Sequence, residues 1–467
     1  MPQEVKAVVD PLDLRRASLV MRDPLPISSE ALREIVERSA FLEERLGSDF
    51  QPETRPEDSE IADKRIATWI KNCAKGDEKV FAKRLQWDGL DQHRARDLVG
   101  RVRRVNPELP PWARLLEQMI ESTGEPRDEG LANNDLAAIR GEQPVAFEEH
   151  FHPFLQLARE TLRKESGQAY LLLAEAAHRQ WEKSLLLSLS AIAGETLDHE
   201  FTDFRSAQQV SPSAGQSRSA ELVPGSGCRE LYDSFLRSAQ REGLLRLFLK
   251  YPVLARLLAT MLSHWVAAAR EFLLRLEADQ AELATCFNQG NALGPVIRLA
   301  ASLSDPHRGG RTALRVHFAT GVKLIYKAKA ITAEASFWNL LGWINNNANL
   351  APLETLRVVD GGTYGWVQEI EPRPCQDKRE VEAFYCRAGM LLCLIYALEG
   401  SDCHSENLIA AGEHPVLIDH ETLLQPRIRY FGPPGEESPL SLASHFFYSD
   451  SVFSTALLPR AGDPTFG

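Results

Sequence analysis

The apolar residues change period at about Asn288, and that change limits what the chain can fold into more than any other feature. Before it, Ile61, Ile66, Trp69 and Ile70, then Ala82, Leu85 and Leu90, open a long stretch in which apolar side chains recur at helical intervals. After it, Thr312–Phe318 and Val322–Lys327 alternate apolar with polar, the two-residue period of a half-buried strand. Helices in one run followed by strands in another predict an α+β protein with segregated halves. The expected divisions are a polar segment over 1–57, a helical region over 58–287, a strand-rich lobe over 288–371 and a second lobe over 372–467.

Within the first half, Ser29–Leu46 is expected to form one helix and Trp112–Ser122 another, with a Gly-, Pro- and Asn-containing linker over Thr123–Pro144. Phe151–Glu200 and Glu230–Ala284 read as long buried helices whose aromatic residues belong to the core, joined by a Ser- and Gly-rich loop over Ser211–Gly227. Glu148, Glu149, His150 and His152 read as exposed polar residues entering a helix rather than as a metal site.

A net charge of −12 argues against a nucleic-acid partner, which needs a basic footprint. Seven cysteines, odd in number and without CxxC spacing, indicate reduced thiols. The N-terminal residues lack an apolar h-region, so a cytoplasmic location is expected. Met390–Leu398, the longest apolar run near the motifs below, is too short to span a bilayer, and membrane association is not indicated.

The chemistry concentrates in Ser401–Leu423. Asp402 stands five residues before Asn407, a short turn at Gly412–His414 follows, and the apolar run Pro415–Ile418 delivers Asp419 and Glu421. An alcohol-orienting Asp, a metal-ligating Asn and a second Asp on the next strand are the layout of a kinase-like phosphotransferase. Mg²⁺ needs few protein ligands and leaves positions for phosphate oxygens, so Asn407 and Asp419, with Glu421 nearby, suffice. Upstream, the loop Leu303–Arg311 contains Asp305, His307, Gly309 and Gly310, and the glycines would let backbone N–H groups approach phosphates. The strand after the hairpin carries Lys327, a point charge for the same phosphates. Glu334, near the start of a helix over Thr332–Asn345, either pairs with Lys327 or complements the positive end of its helix. Gly361–Glu371 is expected to be a strand that supplies the hinge whose backbone faces adenine. Arg379–Leu398 is expected to be a helix closed by Gly400, leading into Asp402.

Taken together, SDPHRGG, LIYKAKA, YGWVQEIE, SDCHSENLIAAG and PVLIDHETL resemble the dehydratase domain of class II lanthipeptide synthetases, the LanM type. The helical segments KRIATWIKN, LPPWARLL and LLRLFLKYPVLARLL fit that family's order, so the resemblance runs from about Asp58 onward. It implies a kinase-like, two-lobed core using ATP and Mg²⁺. It also implies a ribosomally made precursor peptide with a leader as partner, and dehydration of Ser or Thr by phosphorylation followed by phosphate elimination. On this resemblance Asp402 orients or deprotonates the hydroxyl, His404 orients Asp402 or meets phosphate, and Asp305 and His307 serve phosphate handling or elimination. The family commonly follows its lysine with Pro-Arg, where Ala328 and Lys329 stand here. Family members continue past the point matching Gly467, so the C-lobe is expected to be incomplete. No cyclase ligand set is present, and zinc is not expected. The alternatives from the same motifs are a small-molecule or lipid kinase, and a non-catalytic module that binds a leader peptide.

Overall fold

A computed structural model describes residues 27–53, 59–124, 129–210, 226–238, 240–301, 303–307, 309–424 and 451–458. The chain is mixed α/β and divides into two compact units. The first comprises residues up to Asn133 with Ala146–Leu157 and Leu189–Ser263; the second comprises Asn134–Val145, Ala158–Ser188 and His264 onward.

The first unit opens with α1 (Ser29–Ser39) and α2 (Leu42–Leu46), where a single helix over Ser29–Leu46 is expected. Ala40 and Phe41 are extended and break it. The break is built into the core: buried Arg256 donates to the Ser39 carbonyl (2.9 Å) and to Glu44 (2.8 Å), and its guanidinium lies 3.6 Å from the Phe41 ring centre. The short ribbon β1 (Phe50–Pro52) and β2 (Val102–Arg104) flanks α3 (Ser59–Ala74), α4 (Glu78–Trp87) and α5 (Gln92–Val99) in sequence, and α6 (Pro111–Ser122) follows. Ala74, Phe81, Leu85 and Ala95 form the core of α3–α5. The expected linker at Thr123–Pro144 contains a helix, α7 (Glu129–Arg140), whose Asn133, Asn134 and Asp135 mask its periodicity. Helix α8 (Glu148–Ser166) starts at the expected acidic pair, but Glu148 and His152 are buried and His150 is half-buried against Phe147 and Phe235. The expectation of exposed polar residues there is wrong: the Phe147 and Phe235 rings lie against His150, and Glu149 accepts from the Tyr232 hydroxyl (2.9 Å). Helices α9 (Glu175–Val210), α10 (Ser226–Ser238), α11 (Arg241–Lys250) and α12 (Pro252–Phe287) complete the helical elements before Asn288. The Ser211–Gly227 loop lies almost wholly outside the described residues. Helix α12 is long and apolar enough to cross a membrane by length and composition, and half of its most apolar window is buried within the protein.

The second unit is built on a five-stranded antiparallel sheet: β3 (Val296–Ala300), β4 (Leu314–Phe318), β5 (Lys323–Lys327), β6 (Val358–Asp360) and β7 (Gly365–Gln368), in the order β3-β4-β5-β7-β6. The strand expected over Gly361–Glu371 is confined to Gly365–Gln368, and a tight turn pairs it with the short β6. Alternation sends neighbouring residues to opposite faces. Leu324, Tyr326 and Trp366 join a core with Phe272 and Leu276 of α12, while Val367 joins a second core with residues of α13 (Thr332–Asn347) and α14 (Lys378–Ala397). Under the first face, Asp279 accepts from Trp366 Nε1 (2.7 Å) and Tyr364 Oη (3.0 Å), and Arg275 donates to Tyr326 Oη (2.7 Å). These buried polar atoms therefore cost little, and the sheet is held in one register on α12. The hairpin β8 (Leu408–Ala411) and β9 (His414–Leu417) closes the second core, with Val416 and Leu417 packed near Leu391 and Ile395.

Candidate active site

At the end of β5, the Lys327 ammonium donates to Glu334 Oε2 (2.7 Å) and to the Ile418 carbonyl (2.7 Å). Both side chains are nearly buried, 13% and 6% exposed, so the pair is a structural fixture of the site and not a surface contact. Both roles open to Glu334 are met: it pairs with Lys327 and stands in the first turn of α13. Burial pushes the Glu334 carboxyl above the usual carboxylate range, and the Lys327 charge pulls it back. Opposite Lys327 in the ladder stands Gly365, where a Cβ would collide with Ile331 and stand 2.9 Å from the Val359 carbonyl. A residue without a side chain lets Ile331, which immediately precedes α13, pack against the strand.

Helix α14 ends one residue earlier than a Gly400 cap would place it. Glu399 takes the left-handed conformation (φ 53°), its N–H donates to the Tyr396 carbonyl (3.1 Å), and the Gly400 N–H donates to that of Ile395 (2.9 Å). Gly400 is required for space: a Cβ there would lie 2.8 Å from both Ile395 and Leu423. The chain then enters Asp402, also left-handed at φ 59°, a conformation Asp tolerates better than most residues. The Cys403 N–H donates to the Thr455 carbonyl (2.9 Å), and the Ser401 carbonyl accepts from the Thr422 hydroxyl. Burial pushes the Cys403 thiol up to about 11, which makes it an inert packing group.

His404 caps the one-turn helix Ser405–Asn407, with Nδ1 accepting from the Glu406 N–H (3.3 Å). With Nδ1 accepting, Nε2 is the ring nitrogen that carries a proton, and it lies 3.4 Å from Asp402 Oδ1. Asn407 donates its side-chain amide to the Asp402 carbonyl (2.8 Å), leaving Oδ1 as the end that can ligate a cation. Its own carbonyl accepts from the Ile418 N–H (2.9 Å), tying the loop to the residue before Asp419.

Asp419 Oδ1 accepts from the Glu421 N–H (3.2 Å), and Lys329 Nζ lies 3.4 Å from that oxygen and 2.6 Å from Glu421 Oε2. Burial works against the Lys329 charge, but the Glu421 hydrogen bond and the two carboxylates outweigh it, so the ammonium titrates above the ordinary lysine value. His420 points the other way. It is 2% exposed, 4.6 Å from the Phe337 ring and 5.0 Å from that of Trp338, and burial drives its pKa down to about 3. The donors present suit Mg²⁺: two carboxylates and an amide oxygen, with no thiol.

The loop carrying Asp305, His307, Gly309 and Gly310 is shaped by a bridge in which the His307 and Arg311 backbones exchange hydrogen bonds (2.8 and 2.9 Å). Both glycines have φ above 80°. A Cβ on Gly310 would meet His264 of α12 at 3.3 Å, and Arg311 is held by Glu271 of the same helix (3.0 Å). Asp305 and His307 are exposed. Among the described residues, no side-chain hydrogen bond or ion pair joins them to Lys327, Asp402 or Asp419, so the structure draws together Lys327, Glu334 and Asp419–Glu421 on one side, and Asp402, His404 and Asn407 on the other, through Ile418. Sequence reasoning passed over Lys329 and His420. Lys329 stood out only as a departure from the family pattern, and a His between two acidic residues gives no local sign of facing a core.

Residues 251–465 match the model of a domain of unknown function, DUF4135. A stretch of 157 aligned residues is 32% identical to the lacticin 481/lactococcin biosynthesis protein LcnDR2 of Lactococcus lactis subsp. lactis. That stretch takes in 31% of this chain and 16% of the length of the relative.

Proposed function

From its partial likeness to a lacticin biosynthesis protein, we propose that the chain acts in lanthipeptide biosynthesis as a kinase-like Ser/Thr dehydratase component, phosphorylating a precursor peptide with ATP. The observation that carries the reading is the Lys327–Glu334 ion pair. It is bonded to the carbonyl immediately before Asp419, and Asp402 and Asn407 are tied to the same strand through the Ile418 N–H. A phosphate-binding lysine, a helix glutamate and two metal-binding side chains linked through one backbone are the parts that phosphoryl transfer needs.

Asp402 aligns the peptide hydroxyl and takes its proton as the Oγ–P bond forms and ADP leaves. His404 Nε2–H holds the Asp402 carboxylate in place. Lys327, fixed by Glu334, offers its remaining N–H to phosphate oxygens. Asn407, Asp419 and Glu421 would hold Mg²⁺, which supplies charge neutralisation on the phosphates. Elimination then requires loss of the Cα proton as the Cβ–O bond breaks and phosphate leaves. Asp305 and His307, exposed in the second unit, are the acid–base groups that the family resemblance offers for phosphate handling or for that stage.

Intact-mass analysis of a candidate precursor incubated with the chain and Mg-ATP tests the reading. Loss of one water per Ser or Thr is expected from a complete dehydratase, and a stable gain of phosphate from a chain that transfers but does not eliminate. Asp402→Ala should lower either signal by at least ~10²-fold. An unchanged precursor, with folded protein that binds no Mg-ATP, overturns it.

A further inference from the structure

The two lysines of the site differ in how they are held. Lys327 is 13% exposed and locked between a buried carboxylate and a backbone carbonyl. Lys329, two residues on, is 42% exposed, and its polar partners are the carboxylates of Asp419 and Glu421. The Glu421 N–H fixes the Asp419 carboxylate by donating to its Oδ1, and the Lys329 ammonium reaches both that oxygen and Glu421 Oε2, so a single cation serves both. We infer that Lys329 is the resident cation of the Asp419/Glu421 pair and that a divalent metal must displace it. This rests on the reading of that pair as the metal-binding end of the site.

The consequence is an order of events. One ammonium halves the charge of the carboxylate pair and occupies an oxygen of each, so the pair attracts a free divalent ion less strongly. Metal therefore enters with nucleotide, whose phosphates accept the displaced ammonium. Lys329 suits such an exchange because its charge rides on a flexible four-carbon stem that is partly open to solvent. Lys327 does not, because moving it would strand the buried Glu334 charge.

The test is Mn²⁺ binding to the full chain without nucleotide, read by the loss of the free Mn²⁺ electron-paramagnetic-resonance signal. Lys329→Met should bind Mn²⁺ at least ~10-fold more tightly than the wild type, and Lys329→Arg should stay at the wild-type level. Lys329→Met combined with Glu421→Gln should fall back to weak binding. Equal affinity in wild type and Lys329→Met overturns the inference, as does tightening that survives Glu421→Gln. The measurement needs neither ATP nor peptide: a chain that shows the Mn²⁺ difference but never binds Mg-ATP keeps the exchange and loses the proposed function, and the reverse pattern does the opposite.

Discussion

At the scale of single residues, the site depends on charges that are satisfied only in pairs. Glu334 has 6% of its side chain exposed and Lys327 13%, so removing either charge leaves the other buried without compensation. Glu334→Gln should cost roughly 3 kcal/mol by that mechanism, whereas Glu334→Gln with Lys327→Met should recover part of the loss. Urea unfolding of the two single variants and the double variant measures the coupling; additive losses would mean that the pair contributes nothing as a pair. Motif spacing shows Lys327, Asp402, Asn407 and Asp419 as candidates because each lies in a local pattern. It does not show that Glu334 pairs with Lys327, which depends on where a strand end and a helix start meet across several residues of intervening chain. Nor does it show that the left-handed residue after α14 is Glu399, with Gly400 needed for space beside Leu423.

At the scale of elements, periodicity shows β4, β5, α13 and α14 to within a few residues, because each has one face against a core. It does not show β6, three residues long, or the interruption of α1 and α2 by an Arg256 that arrives from far along the chain. Helix α8 is the clearest case of a face misread from polar residues. His150 is half-buried between Phe147 and Phe235, its Nε2 is shut off from solvent, and burial lowers its pKa to about 4. The ring is neutral in folded and unfolded chains above about pH 6.5, so it costs nothing there. Below that, the unfolded chain takes a proton that the folded chain refuses, and stability falls until about pH 4, where both are protonated. The contribution at pH 5 is at most about 2 kcal/mol. His150→Phe should therefore lose less stability than the wild type between pH 7.5 and pH 5 in urea unfolding; parallel losses would show that the ring is hydrated and titrates normally.

At the scale of the whole molecule, every residue of the proposed nucleotide and metal machinery falls in the second unit, between Asp305 and Glu421. The first unit has cores of its own, such as Ala74, Phe81, Leu85 and Ala95 among α3–α5. A ligand that binds only the folded second unit stabilises what unfolds with it, by about 2.7 kcal/mol at a hundred times Kd. Saturating Mg-ADP should thus slow amide hydrogen exchange across β5, α13 and β8–β9 by up to about a hundredfold and leave α3–α5 unchanged. The backbone bonds that join Asn407 to Ile418, and Cys403 to Thr455, should be among the most protected, because opening them takes the loop out of the site. Slowing that reaches α3–α5 to the same degree would show that both units open as one cooperative body, and the helical half would then report on the site's occupancy. Exchange unchanged everywhere, at nucleotide concentrations in the millimolar range, would remove the nucleotide from the reading and leave the Lys327–Glu334 pair as a structural ion pair alone.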